Sequence, residues 1–390
     1  MAALAISAAS VVTALGCGKA ATLAALGERR DGLRRCDFGG LALGFIGRVT
    51  EVEAHTLRPA LAAFDCRNHR LADLALRSDS FAEAVERARA RHGAERIAVV
   101  VGTSTSGVLT AEEAYLRRDR GAPPRAGSLD RRHTHDLHSL AWFVRNACGL
   151  AGPALTVSTA CASSARAMLD ASHLIACGIV DAAVVGGADS LCRLTLAGFA
   201  ALELVSPAPC RPCDARRQGI SLGEGAGFCL LERGDSEFAL LGAGASSDAY
   251  HMSSPRADGA GAALAMRRAL QSAGLEPGEI DAINLHGTGT RANDAAEDAA
   301  VFAVFGNTVP ASSTKGFTGH TMGSCGIIEA VIGLICMQEG LLPGCLRVEE
   351  VDPGFRAHVV TENEDRVIRR LISNSFGFGG INVSLVLGRR

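Results

Sequence analysis

Two stretches far apart in the chain carry the same pattern, and that constrains the fold more than any other feature. Ile97-Ala-Val-Val-Val-Gly-Thr-Ser-Thr-Ser-Gly107 and Ala282-Ile-Asn-Leu-His-Gly-Thr-Gly-Thr290 each read as an apolar strand entering a Gly/Thr loop. Val157-Ser-Thr-Ala-Cys161 and Ser313-Thr-Lys-Gly-Phe-Thr-Gly-His320 occupy corresponding places. Strand-like Phe228–Glu232 closes a first half and Phe238–Gly244 opens a second, so the boundary falls near residue 235, giving halves 1–235 and 236–390. Strands alternating with helices imply an α/β protein with mostly parallel sheets covered by helices. Hydrophobic residues make up 48% and aromatics only 4%, with 45 glycines. That suits a core of Ala, Val, Leu and Ile with tight turns.

Within this frame Cys161 stands out. The run Leu155–Thr159 reads as a buried strand that stops at small residues of helical composition, ending near Gly178. The thiol is therefore expected on the first turn of a helix, where unpaired N–H groups and the helix dipole favour the thiolate nucleophile. The plain alternative is a buried structural cysteine. Against it stand His286 and His320, each after an apolar or β-branched run and flanked by glycines and threonines. One cysteine and two histidines at strand ends make a nucleophile constellation. A metal is not expected: only Cys210-Arg-Pro-Cys213 has zinc-like spacing, and it lacks a second pair.

The other global features are bland. A net charge of −2 makes no case for nucleic-acid binding. Thirteen cysteines without regular spacing suggest reduced thiols and a cytoplasmic protein. The N-terminal apolar run lacks a basic segment and is broken by Ser7, Ser10 and Thr13, so it reads as a first core strand. Leu174–Ala188 is broken by Asp181 and glycines, and no membrane association is expected. Arg117, Arg118, Arg120, Arg125, Arg131 and Arg132, then His133 and His135, form a polar, basic excursion.

Several motifs together resemble the β-ketoacyl-acyl carrier protein synthases, the condensing enzymes of fatty acid and type II polyketide synthesis. They are Thr159-Ala-Cys161-Ala-Ser-Ser, Gly186-Gly-Ala-Asp189, Cys210-Arg-Pro-Cys-Asp214, Gly223-Glu-Gly-Ala-Gly227, His286-Gly-Thr-Gly-Thr290, Lys315-Gly-Phe-Thr-Gly-His320 and Asn374-Ser-Phe-Gly-Phe-Gly-Gly380. They run in family order from about residue 100 onward. Ser246–Pro255 and Gly259–Ala265 resemble the elongating type II members, not the initiating ones that pair Cys with His and Asn.

The resemblance implies a thiolase-like fold, two similar halves in five αβαβα layers. It implies a 3-oxoacyl-[acyl-carrier-protein] synthase, dimeric with itself or with a related subunit. Its substrates ride on the phosphopantetheine of acyl carrier protein, with no other cofactor. Cys161 would take up the acyl group. Its own N–H and that of Phe378, in a gate loop with Gly377 and Gly379, would hold the oxyanion; a simple tight turn is the alternative. His286 and His320 would donate to the malonyl thioester oxygen, while Lys315 pairs with Glu329 and supports His320. Thr288 and Thr290 would bind the pantetheine amides, unless they only form a turn.

Thr105, Phe199 and Phe376 would line the acyl pocket. A polar Thr105, and Glu203 where a docking arginine is often found, raise the prospect of a specialised polyene or polyketide pathway. Cys210-Arg-Pro-Cys213 reads as a coincidental redox-like motif and Gly223–Gly227 as a structural turn. Two alternatives are a non-catalytic chain-length-factor-like subunit and a thiolase acting on acyl-CoA.

Overall fold

A computed structural model describes residues 2–117 and 130–389; Arg118, Arg120 and Arg125 of the basic excursion lie outside the described residues. The first half forms β1 (Leu4–Thr13), β2 (Ile97–Gly102), β3 (Ala154–Val157), β4 (Ala182–Asp189) and β5 (Gly225–Glu232). They pair in the order β3-β2-β4-β5-β1. The second half forms β6 (Phe238–Ser247), β7 (Ala282–Asn284), β8 (Pro310–Ser312), β9 (Arg370–Gly377) and β10 (Ile381–Arg389). Their order is β8-β7-β9-β10-β6, so the same topology occurs twice.

In each half the second, third and fourth strands are parallel, and the fifth runs antiparallel to both its neighbours. A short antiparallel seam joins the sheets: Leu4, Ala5 and Ile6 of β1 face Leu240, Ala239 and Phe238 of β6. Every residue of β2 and β4 is buried, as strands covered on both faces must be.

The outer face of the first sheet carries α1 (Arg67–Arg77), α2 (Phe81–His92) and α3 (Ser139–Ala147). The outer face of the second carries α5 (Ala260–Ala273) and α6 (Arg291–Phe305). Between the sheets lie α4 (Ser163–Ala176) and α7 (Cys325–Glu339), which touch both sheets and each other. Five αβαβα layers result.

Helix α7 is buried without a break from Cys325 to Met337, and that stretch is apolar apart from Glu329. With the preceding turn it is long and apolar enough to cross a membrane by composition, yet 89% of that stretch is buried inside the protein. Its close approach to α4 needs Gly326, where an added Cβ would lie 2.8 Å from the Ala165 Cβ. That contact brings the N-termini of both central helices to one point.

The Gly223–Gly227 run is not the expected turn: Gly223 ends a two-residue strand and Gly225–Gly227 open β5, with only Glu224 between them. Glu224 within it accepts Arg67 Nε and Nη2 at 2.7 and 2.6 Å and the N–H groups of Val49 and Leu191.

Candidate active site

Cys161 sits in the turn between β3 and α4. Ala160 adopts a left-handed φ of 50° there. Ser163 Oγ accepts the Thr159 N–H at 2.9 Å and donates to the Ala160 carbonyl at 2.5 Å. The helix starts only at Ser163, so Cys161 precedes its first turn rather than occupying it. The thiolate expectation fails with it. Burial pushes the Cys161 thiol up to about 12, outweighing the Lys315 charge and the N–H groups of Phe378 and Cys161 that favour the anion. At rest the nucleophile is a thiol.

Both histidines reach it from the second half. His320 Nε2 is 3.0 Å from Cys161 Sγ, and the His286 ring lies 5.3 Å from the His320 ring at 84°. Their backbones are clamped. His320 N–H donates to Ser221 O, while the His286 and Gly287 N–H groups donate to the two oxygens of Glu297 at 2.7 and 2.8 Å. Burial, then the charge of Lys315, holds both imidazoles well below 6.5, so both are neutral.

Lys315 bridges Glu329 Oε1 at 2.5 Å and His286 Nδ1 at 3.3 Å. The expected pair with Glu329 is present, but the supported histidine is His286, not His320. Asn284 Nδ2 donates to the other oxygen of Glu329 at 3.3 Å. The Glu329 carboxylate keeps the buried ammonium protonated. An ammonium can only donate, so His286 Nδ1 accepts and Nε2 carries the proton toward the cavity. His320 has no such lock: its Nδ1 is buried with no partner among the described residues.

Donor atoms of Cys161, His286 and His320 lie within 4.8 Å of one another. That is a metal-sized cluster, but the Lys315 contact denies a cation the His286 Nε2 lone pair.

The β9–β10 hairpin closes the site. Gly377 packs on the nucleophile turn so tightly that an added Cβ would lie 2.7 Å from Thr159 O. Gly379 N–H donates to Met252 O and Asp248 N–H to Gly380 O, each at 2.8 Å. Phe378 meets Phe199 at 5.7 Å and Phe376 meets His286 at 5.9 Å between ring centres.

A cavity of about 430 Å³ runs from Cys161 to the surface, lined by Phe199, Thr288, Thr290, Phe376 and Phe378 among others, with Glu203 and Arg291 at its mouth. Thr288 and Thr290 bond to each other through their hydroxyls at 3.0 Å, and Thr290 also caps α6.

Thr105 is placed otherwise than expected. It does not line this cavity; its hydroxyl donates to Asp189 Oδ1 at 2.8 Å and accepts the Ser190 N–H. Its polarity serves a buried carboxylate rather than a substrate. Glu297 and Cys325, whose thiol donates to the Cys161 carbonyl at 3.2 Å, carry no signal in the sequence, and Asp189 enters it only as the end of the Gly186–Asp189 motif, with no role attached. For Asp189 a signal existed: the polar run Thr103-Ser104-Thr105 directly follows a wholly apolar strand. The sulfurs of Cys210 and Cys213 have separate surroundings, the former donating to Lys315 O and the latter packing on Cys345.

Residues 65–237 match the family model of the β-ketoacyl synthase N-terminal domain, and residues 238–349 that of its C-terminal domain. The chain is 38% identical over 315 residues to 3-oxoacyl-[acyl-carrier-protein] synthase 2 of Rhizobium meliloti (strain 1021), covering 75% of this chain and 73% of that one. It is 40% identical over 261 residues to the mitochondrial 3-oxoacyl-[acyl-carrier-protein] synthase of Arabidopsis thaliana, covering 61% of this chain but only 57% of that relative. Among solved structures, a ketosynthase in complex with its chain length factor from Xenorhabdus doucetiae superposes with a TM-score of 0.90. The two are 37% identical, over 100% of this chain and 98% of that one.

Proposed function

The chain belongs to the β-ketoacyl synthase family, and we propose that it condenses an acyl group held on Cys161 with malonyl-ACP to give 3-oxoacyl-ACP. The observation that carries this reading is the 3.0 Å contact between Cys161 Sγ and a neutral His320, with a second neutral imidazole beside it.

In the first half-reaction the thiol proton passes to His320 Nε2 as sulfur attacks the acyl thioester carbonyl. The resulting oxyanion lies between the N–H groups of Cys161 and Phe378, preorganised donors that need little rearrangement. Collapse expels the pantetheine sulfur, which takes the proton from His320.

In the second half-reaction the malonyl carboxylate leaves as CO2 and its bonding pair becomes an enolate. The charge falls on the thioester oxygen, which His286 Nε2–H and His320 receive. The enolate carbon attacks the acyl carbonyl, and collapse expels Cys161 as a thiolate, which takes up a proton from solvent by way of His320. His286, locked by Lys315, is a fixed donor, whereas the unpaired Nδ1 of His320 leaves that ring free to accept in one step and donate in the next. Thr288 and Thr290 would meet the pantetheine amides, and Phe199, Phe376 and Phe378 the acyl chain. No resident cofactor enters either step.

The partner in this reading is acyl carrier protein, and the assembly is a dimer with a related subunit in a specialised polyene or polyketide pathway. Supporting this are the chain length factor bound to the ketosynthase from Xenorhabdus doucetiae and the edge strand β3. Among the described residues that strand pairs only with β2, and it exposes Leu155 at 42%. Thirteen cysteines without a disulfide among the described residues suit a cytoplasmic setting.

The test is a panel of saturated, unsaturated and aryl-primed acyl-ACPs with malonyl-ACP, with and without a co-expressed related subunit. The expected result is an acyl adduct mapped to Cys161 and a 3-oxoacyl-ACP product. An adduct formed only from acyl-CoA would favour a thiolase, and no adduct at all a non-catalytic subunit.

A further inference from the structure

We propose that Asp189 is a positioning residue for the condensation, holding the Cys161 half of the site in register with the His320 half. Asp189 ends β4 in the first half and is fully buried. Its Oδ1 accepts from Thr103 Oγ1 at 2.9 Å and from Ser104 N–H, Thr105 N–H and Thr105 Oγ1, each at 2.8 Å. Its Oδ2 accepts from Ser324 N–H at 3.0 Å. Three backbone N–H groups, which can only donate, and the Thr105 hydroxyl favour the anion here, while the Thr103 hydroxyl is shared with Ala188 O; burial, the larger effect, works against them and raises this group's affinity for a proton above that of an ordinary carboxylate.

The Ser324 bond is the one that crosses between halves. Ser324 caps α7 and lies four residues after His320, with the short turn between them closed by Ser324 Oγ on Thr321 O at 2.7 Å. Two further bonds cross beside it: Cys325 Sγ to Cys161 O at 3.2 Å, and Ile327 N–H to Ser164 Oγ at 3.0 Å. The start of α7 is thus pinned around the nucleophile turn, and Asp189 supplies the charged member of that set. A charge-assisted bond is roughly twice as strong as a neutral one. There is no slack at this point: an added Cβ on Gly323 would lie 2.9 Å from Asp189 Oδ2 and 2.8 Å from Ser104 Oγ.

Asp189 has a second effect through space. The groups facing Cys161 are Lys315, Asp189, His286, His320 and Cys325. Among the charged ones Lys315 favours the thiolate and Asp189 opposes it. Removing the Asp189 charge makes the sulfur easier to deprotonate.

The decisive variant is Asp189→Asn, which preserves shape but sets an amide N–H against the Ser324 N–H. Two measurements separate positioning from mere structure. With acyl-ACP and malonyl-ACP, kcat should fall more than about tenfold with KM within about twofold, since no group that touches substrate is lost. Alkylation of Cys161 by iodoacetamide, followed by peptide mapping from pH 7 to 10, should shift to lower pH and be about threefold or more faster at pH 8. The kcat measurement rests on the function proposed above, whereas alkylation does not. If the wild type fails to condense, that function is wrong while the alkylation shift still tests Asp189.

An unchanged pH profile with kcat lowered only in proportion to the unfolded fraction would overturn the proposal. Should Asp189→Asn fail to fold, Gly323→Ala crowds the same oxygen from the other side. It should lower kcat by a similar factor, and wild-type kcat in that variant would equally overturn it.

Discussion

At the scale of single residues, the site's chemistry is set by burial more than by charge. Cys161→Ala should abolish acyl uptake without unfolding the protein, since the neighbours are Ala160 and Ala162; intact-mass analysis after incubation with acyl-ACP checks this. His286→Ala and His320→Ala should each slow malonyl-ACP decarboxylation by roughly 10²–10³-fold, the cost of losing one donor to a developing oxyanion. The neutral imidazole is the active form of both, and both are held well below 6.5. The decarboxylation rate should therefore stay flat as pH falls through 6.5 and drop only in more acid solution. A titration centred near 6.5 would mean that one ring is exposed to solvent during turnover. Thr105→Val should lower the melting temperature by removing a donor from a buried carboxylate, a cost of about 1–3 kcal/mol. It should leave the chain-length profile unchanged.

At the scale of elements, the β9–β10 hairpin is the part most easily tested. Phe378→Ala retains the N–H that faces the sulfur and removes the ring that meets Phe199. Self-acylation should survive, while discrimination between acyl chains and malonate falls. Gly379→Pro should slow both half-reactions, because φ is 86° there and its N–H is bonded to Met252 O. Stopped-flow acylation across chain lengths separates the two outcomes.

Elements also show where the sequence was legible. The strand ends carrying Cys161, His286 and His320 were readable because each is an apolar run broken by small residues. The start of α4 is not legible because Ala160, Cys161 and Ala162 are all small and none signals a cap; the left-handed Ala160 delays the helix. The Thr105 bond to Asp189 is not legible because a motif gives position along a strand, not the direction of a side chain. Proximity in sequence links Lys315 to His320, whereas the parallel pairing of β7 and β8 sets it against His286.

At the scale of the whole molecule, the duplicated topology was visible as a repeat in the chain, but the seam joining its halves was not. A further property belongs to the whole core. Burial pushes Cys66, Cys161, Cys229 and Cys336 up to about 12. In the unfolded chain a thiol ionises near 8.5. The folded form therefore holds its thiol protons more tightly, so their stabilisation is fully present below about pH 8.5 and lost as pH climbs toward 12. Melting temperature should decline steadily from pH 8.5 to 10.5, and a flat curve would show that these sulfurs are hydrated in the native state.

The seam bears on how the chain is made. The end of β1 turns back on Gly16–Cys17, but its two long partners are β5, at Ala5–Glu232, and β6, at Leu4–Leu240, both more than two hundred residues downstream. At roughly 5–20 residues per second, a ribosome leaves that first strand waiting on the order of 10–50 s for either partner. A nascent chain must keep Leu4–Thr13 covered throughout that interval, so the first sheet closes only as the second begins to emerge.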